Sequence, residues 1–254
     1  MAGLRLALVA SEGQHDVVFV PRLLEVSGWR RRIPTVTDHE SIRRLVPLPP
    51  RPTGQESWLV KPAPRMPVFL SRGDDWVVVM PFGGLPKLLS ELAGVVDQCG
   101  AALSELVVFA DADDTAVVDR ERALDHALRR RWQFRSTAGE FVAVEDSIVR
   151  VGLWVWPDNS RAGSFDDALV DAAALARPSL LNSASSLIAG QREFDGMTTQ
   201  DRKKAKLGIL AQPDAPAANL PASLKGHQWW LHGAPQDGPF AATIRFLSGL
   251  LPAA

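Results

Sequence analysis

A chain of 254 residues, 46% hydrophobic and 22% charged, is long enough to bury a full core and has the composition of an ordinary globular protein. Its 28 Lys+Arg against 29 Asp+Glu give a net charge of -1, which excludes a protein that coats nucleic acid by charge alone but leaves room for a local basic groove. The single cysteine, Cys99, excludes an internal disulfide and a multi-cysteine zinc site, and no apolar run reaches the roughly 20 residues of a membrane span, so a cytoplasmic protein is expected.

Leu4–Ala10 is a short apolar run that suits a first buried strand. The polar turn Ser11-Glu12-Gly13-Gln14-His15-Asp16 follows at once, which is unlike the end of a signal peptide. Val17–Val26 has apolar residues at helical spacing, stopped by Gly28, with Pro21 either in the first turn or at a kink. Residues 30–75 form a different kind of segment, with Arg30-Arg31-Arg32 at its start and seven prolines from Pro47 to Pro67. Such a stretch is poor helix and poor sheet material, so an insertion into the core is expected there.

Trp76–Met80 suits a second strand, Gly83-Gly84 a turn, and Pro86 the first turn of a helix that runs to about Gln98 and ends at Gly100. Glu105–Ala110 is the third strand and leads into Asp111-Ala112-Asp113-Asp114-Thr115. A helix over Asp119–Arg131, a short edge strand over Glu140–Val144, and a fourth clear strand over Val149–Trp156 come next. Pro157-Asp158-Asn159 stops that strand, and Gly163 precedes a helix over Ser164–Ala176. Thr199–Ala211 suits a lysine-bearing helix, 212–226 a Pro/Ala-rich loop, and Pro239–Leu251 a closing helix packed by aromatics.

The alternation of strands and helices predicts an α/β fold, with a largely parallel Rossmann-like sheet and helices on both faces. A core over 1–180, containing the insertion at 30–75, and a helical extension over 181–254 are expected. Ligands of such sheets gather at the carboxyl ends of strands. Glu12, Gly83-Gly84, Asp111/Asp113 and Asp158 each stand just past a strand end in this reading. In extended chain, Asp111 and Asp113 point the same way and repel unless a cation or a shared proton lies between them. The oxygen-rich groups are Glu12 with Asp16, Asp111 with Asp113 and Asp114, and Asp158-Asn159 with Asp166-Asp167. Such donors suit a hard cation, Mg²⁺ or Mn²⁺, and a substrate that carries phosphate. Asp114, Asp166 or Asp167 can equally be a helix cap or turn residue, whereas Asp111 and Asp113 together, at a strand end, have no obvious capping job between them.

Ser11–Asp16 after the first strand resembles the glutamate motif of Toprim domains, and Asp111-Ala112-Asp113 resembles their paired-aspartate motif. Gly83-Gly84 fits the same layout. Trp154-Val155-Trp156-Pro157-Asp158-Asn159, Gly163, Asp166 and the helix with Lys203-Lys204-Ala205-Lys206 are similar to the Toprim-like family DUF3226, over nearly the whole chain. The resemblance implies metal-dependent phosphodiester chemistry on nucleic acid. Glu12, Asp111 and Asp113 would be catalytic and hold Mg²⁺ or Mn²⁺, and Asp158 and Asp166 would complete a second metal position, as in OLD-family nucleases. Asp166 stands where a glutamate is usual, and its reach is one methylene shorter. Gly83, Gly84, Lys203, Lys204 and Lys206 would contact phosphate or substrate.

The chain has no tyrosine, so it lacks the nucleophile of a topoisomerase, and it has no Gly-x-x-x-x-Gly-Lys-[Ser/Thr] phosphate loop. A separately encoded ATPase partner is therefore an expectation by family analogy. Two other readings remain open from the residues. One is a Toprim-like protein that binds nucleic acid or a partner without cleavage. The other is a haloacid-dehalogenase-type phosphatase, because Asp111–Thr115 also satisfies Asp-x-Asp-x-Thr, with Asp111 as nucleophile and Asp113 as general acid.

Overall fold

The computed structural model describes residues 5–35, 37–46, 66–131, 133–134, 140–142, 148–213, 216, 220, 224, 229–231 and 237–251. The proline-rich stretch 47–65, and His227 and Gln228 of the aromatic C-terminal segment, lie outside these residues. The chain divides into two compact units. One comprises Met1–Ala110, Glu121–Trp154 and Ser248–Ala254; the other comprises Asp111–Arg120 and Val155–Leu247.

The first unit is built on an eight-stranded sheet. Its strands are β1 (Arg5–Ser11), β2 (Arg30–Arg31), β3 (Val68–Arg72), β4 (Asp75–Pro81), β5 (Leu103–Asp111), β6 (Gln133–Phe134), β7 (Glu140–Val142) and β8 (Ile148–Trp156). The order across the sheet is β2-β3-β4-β1-β5-β8-β7-β6. The centre is parallel: β1 lies between β4 and β5, with Val9 opposite Val79 on one side and Val107 on the other. The margins are antiparallel, where β3 pairs with β4 and β7 with β8. The α/β class read from the sequence is the class observed. The alternation did not reveal β2 and β3, because a two-residue edge strand and a five-residue hairpin arm carry almost no periodic signal.

The central strands read as continuous apolar runs because both faces are covered. Leu6, Leu8, Ala10, Val78, Leu106 and Val108 pack on one face with Leu88, Leu92 and Val96 of α3 (Leu85–Cys99) and Leu124 and Leu128 of α4 (Val117–Arg131). The short helix α2 (Glu40–Arg44) adds Ile42 to the same core. Residues of the other phase, Ala7, Val9, Val77, Val79, Val107 and Phe109, are equally buried. Helix α1 (Gln14–Val26), which packs on β1, β3 and β4, buries Phe19, Val20, Leu23 and Leu24. Pro21 lies inside α1, seven residues after Gln14, the first helical position that proline favours, so the helix starts earlier than the apolar pattern alone suggests.

The second unit is helical. It contains α5 (Phe165–Ala176), α6 (Pro178–Gly190), α7 (Thr199–Ala211) and most of α8 (Ala241–Leu250), with a 3-10 turn at Trp229–Leu231. Helix α5 packs against α6, α7 and the 3-10 turn. Pro178 follows the end of α5 and starts α6 at a position where proline's missing N–H costs nothing. Trp156 stacks tilted on Phe165 at 5.0 Å and edge-on to Phe240 at 6.2 Å, and Trp230 meets Phe240 edge-on at 6.0 Å. This is the aromatic packing expected of the closing segment.

Candidate functional site

In the first unit Glu12 follows β1 directly. Its backbone N–H donates to the Phe109 carbonyl at 3.0 Å, so β1 and β5 stay paired to the last residue before the turn. The Glu12 carbonyl accepts from the N–H groups of both Gly83 and Gly84, at 3.0 and 2.9 Å. Gly83 and Gly84 have φ of 73° and 119°, a region that only glycine enters cheaply, and this lets two successive amides converge on one oxygen. These two amides thus hold the Glu12 backbone. The Glu12 side chain is half-buried. Asp16, grouped with Glu12 in the sequence, is buried and accepts from the Gly13 N–H at 3.2 Å, which is a helix-capping role at the start of α1.

In the second unit the acids fall into distinct roles. Asp111 is the last residue of β5, half-buried, and its Oδ1 accepts from the Phe165 N–H at 2.8 Å. That N–H is the first of α5 and has no partner within the helix. Strand geometry stops there. Asp113 has φ 53°, so the two-residue alternation that would align it with Asp111 does not extend to it. A pair of short backbone bonds fixes it: Asp113 N–H to Gly163 O at 2.6 Å and Gly163 N–H to Asp113 O at 2.8 Å. The Asp113 carboxylate is 57% exposed and lies 3.3 Å from the Arg120 guanidinium, itself only 13% exposed. Asp114 is exposed.

Asp158, after β8, is occupied by its own turn. Oδ1 accepts from the Ser160 N–H and hydroxyl and the Arg161 N–H, and Oδ2 accepts from Arg161 Nε at 3.0 Å. Partial burial opposes ionisation, but these Ser160 and Arg161 bonds outweigh it and hold the carboxyl below its ordinary value. Arg161 also pairs with Asp171. Asp166 is only 4% exposed and accepts from Gln200 Nε2 at 3.0 Å. Asp167 accepts from the Ser164 N–H and hydroxyl through Oδ2, at 2.8 and 3.1 Å, and its Oδ1 is 2.6 Å from Lys203 Nζ. Burial again works against the charge; the Lys203 ammonium and the Ser164 cap nevertheless lower the Asp167 pKa. Lys203 is the counter-ion of Asp167, and Lys204 is exposed on α7. The cap of Asp167 on Ser164 follows a local Ser-x-x-Asp pattern, but its pairing with Lys203 and the pairing of Arg120 with Asp113 are not announced by the local sequence.

Among the described residues no group of three or more His, Cys, Asp or Glu stands close enough to hold a metal ion. The donor chemistry still separates the acids. Asp158 and Asp167 are already neutralised by Arg161 and Lys203. Asp111 accepts from the Phe165 backbone amide, and Asp113, though 57% exposed, has the Arg120 guanidinium 3.3 Å away.

No protein of curated function matches the chain. The chain is similar to the crystal structure of hypothetical protein PH0156 from Pyrococcus horikoshii OT3, with a TM-score of 0.53 and 18% identity over 97% of this chain and 95% of that one. At that identity the likeness is one of fold. The model of the family described as "Protein of unknown function (DUF3226)" matches residues 7–247, and the chain belongs to that family.

Proposed function

We propose that the chain is a Toprim-like, Mg²⁺- or Mn²⁺-dependent nuclease acting on DNA or RNA. The observation that carries this reading is the backbone at Asp113. A non-glycine residue at φ 53° is held there by two bonds to Gly163 and presents its carboxylate to water two residues after Asp111. Strained residues of this kind collect at functional sites, where surrounding structure over-determines them. In this reading Asp111 and Asp113 hold one ion, which would polarise a phosphoryl oxygen of the substrate. Glu12 serves as the general acid/base that the Toprim resemblance assigns to it. Asp158 spends both oxygens on Ser160 and Arg161, so the proposal keeps a single ion rather than two.

The test is cleavage of single- and double-stranded DNA and RNA with Mg²⁺ or Mn²⁺, for wild type, Asp113→Asn and Glu12→Gln. Loss of cleavage in both variants, with unchanged melting temperature, is the expected result. A wild type that cuts none of these with either ion, or an Asp113→Asn variant that cuts as well as wild type, overturns the reading. One observation favours a second function. The guanidinium of Arg120 beside Asp113 supplies a positive charge where an ion would otherwise stand. A family member that binds nucleic acid or a separately encoded ATPase without cleavage would keep that pair, and Asp113→Asn would then leave its binding intact.

A further inference from the structure

We propose that the hollow between α5, α6 and α7 binds a phosphate monoester. The hollow has a volume of about 400 Å³, at the small end of ligand pockets, and is lined by Arg202, Lys203 and Lys206 from α7. Asp167 is its one acidic lining residue, and the Lys203 ammonium already answers that charge at 2.6 Å. Two cations are left over. Arg202 donates to the uncharged carbonyl of Asp195 at 3.2 Å, while its Nε is buried with no hydrogen-bond partner. Lys206 is half-buried and has no ion-pair partner among the described residues.

Arg202 and Lys206 are four residues apart on one helix, so their charges repel across adjacent turns. Burying such charges without counter-ions costs stability, and an anion in the hollow removes both penalties. Phosphate is the anion that suits the donors present. The Arg202 guanidinium has N–H donors beyond the one given to Asp195, an ammonium offers a compact charge, and the hydroxyl residues Ser185 and Thr199 share the same lining. Ile188 and Val170 give it an apolar wall against which the organic part of an ester packs.

Lys203 and Lys206 are also phosphate contacts that the Toprim-like resemblance implies, so the inference rests on and deepens the nuclease reading, but it needs no metal. Calorimetric titration in EDTA at low salt tests it, so its failure and the failure of metal-dependent cleavage are separate events. The probes are 5′-AMP, adenosine, and one oligonucleotide with and without a 5′-phosphate. Binding of either phosphorylated probe is expected, with adenosine and the unphosphorylated strand at least tenfold weaker. AMP alone would mark a free nucleotide as the source, and the 5′-phosphorylated strand alone a nucleic-acid end. Lys206→Gln is expected to weaken binding at least tenfold. Ser185→Asp, which adds a carboxylate from α6, should do the same by an independent route. Arg192→Gln, a charge loss elsewhere in the unit, should bind as wild type. No binding of either phosphorylated probe, equal binding of the unphosphorylated ones, or an equal loss in Arg192→Gln would overturn the proposal.

Discussion

Lys203 Nζ lies 2.6 Å from Asp167 Oδ1, while the other oxygen of the same carboxylate caps Ser164 at the start of α5. One side chain thus ties α7 to the first turn of α5. Both partners are largely shielded from water, with 19% and 27% of their side chains exposed. Lys203→Met should lower stability by about 1 kcal/mol. The pH dependence has a definite sign. Asp167 is more acidic folded than unfolded, so its contribution is complete above the unfolded value near ~4 and is lost as pH falls through the lower folded value. Melting temperatures of wild type and Lys203→Met should differ fully at pH 6 and converge below about pH 4. A gap that widens in acid would contradict the pairing.

Gly163 cannot carry a side chain. Its φ is 137°, and a Cβ there would sit 2.8 Å from Asp167 Oδ2 and 3.2 Å from Pro157 Cδ. Gly163→Ala should cost about 1–3 kcal/mol, from backbone strain and from displacement of the Asp167 cap. The same change disturbs the Asp113–Gly163 bonds, so any metal-dependent activity should fall together with the melting temperature. Thermal unfolding of this variant beside Gly94→Ala, whose Cβ meets nothing within 4 Å and which lies within α3, checks the point; the second change should be neutral or stabilising.

Asp111 has a structural duty that is separable from any chemistry. Asp111→Ala removes the acceptor for the Phe165 N–H and should destabilise the protein by about 1 kcal/mol. Asp111→Asn keeps an oxygen acceptor and should melt within a few degrees of wild type. If cleavage is metal-dependent, both variants lose it, and only the alanine variant loses stability. Circular dichroism melts run beside the cleavage assay distinguish the two losses.

Cys99 is fully buried at the end of α3, and burial pushes its thiol up to about 12. The thiolate is the reactive form, so a thiol reagent at pH 8 should leave the folded protein unlabelled over hours and label one site promptly in denaturant. Rapid labelling of the native protein would show that the α3 terminus opens.

Much of the fold was legible in the sequence because its central strands are short apolar runs bounded by glycine, proline and acids. Buried strands, helix stops and turns each leave a local mark, which is why the order β1, α1, β4, α3, β5, α4, β8, α5 could be read off directly. The edge strands β2 and β6, at two residues each, leave none. Helix α6 was hidden by Pro178, because the same residue type ends one helix and begins another.

The acids show the same division. Their residue types, and their positions past strand ends, are facts of the sequence, as is membership of the family that matches residues 7–247. Which carboxylate faces water and which is spent on a cap or a cation was decided by the tertiary structure alone. Asp158 and Asp167 are chemically the same group as Asp111. They differ because Arg161 and Lys203 reach them, while Asp111 meets a backbone amide. A carboxylate's availability is set by what stands within about 3 Å of its oxygens, and residues up to 54 positions away in the chain supply those neighbours.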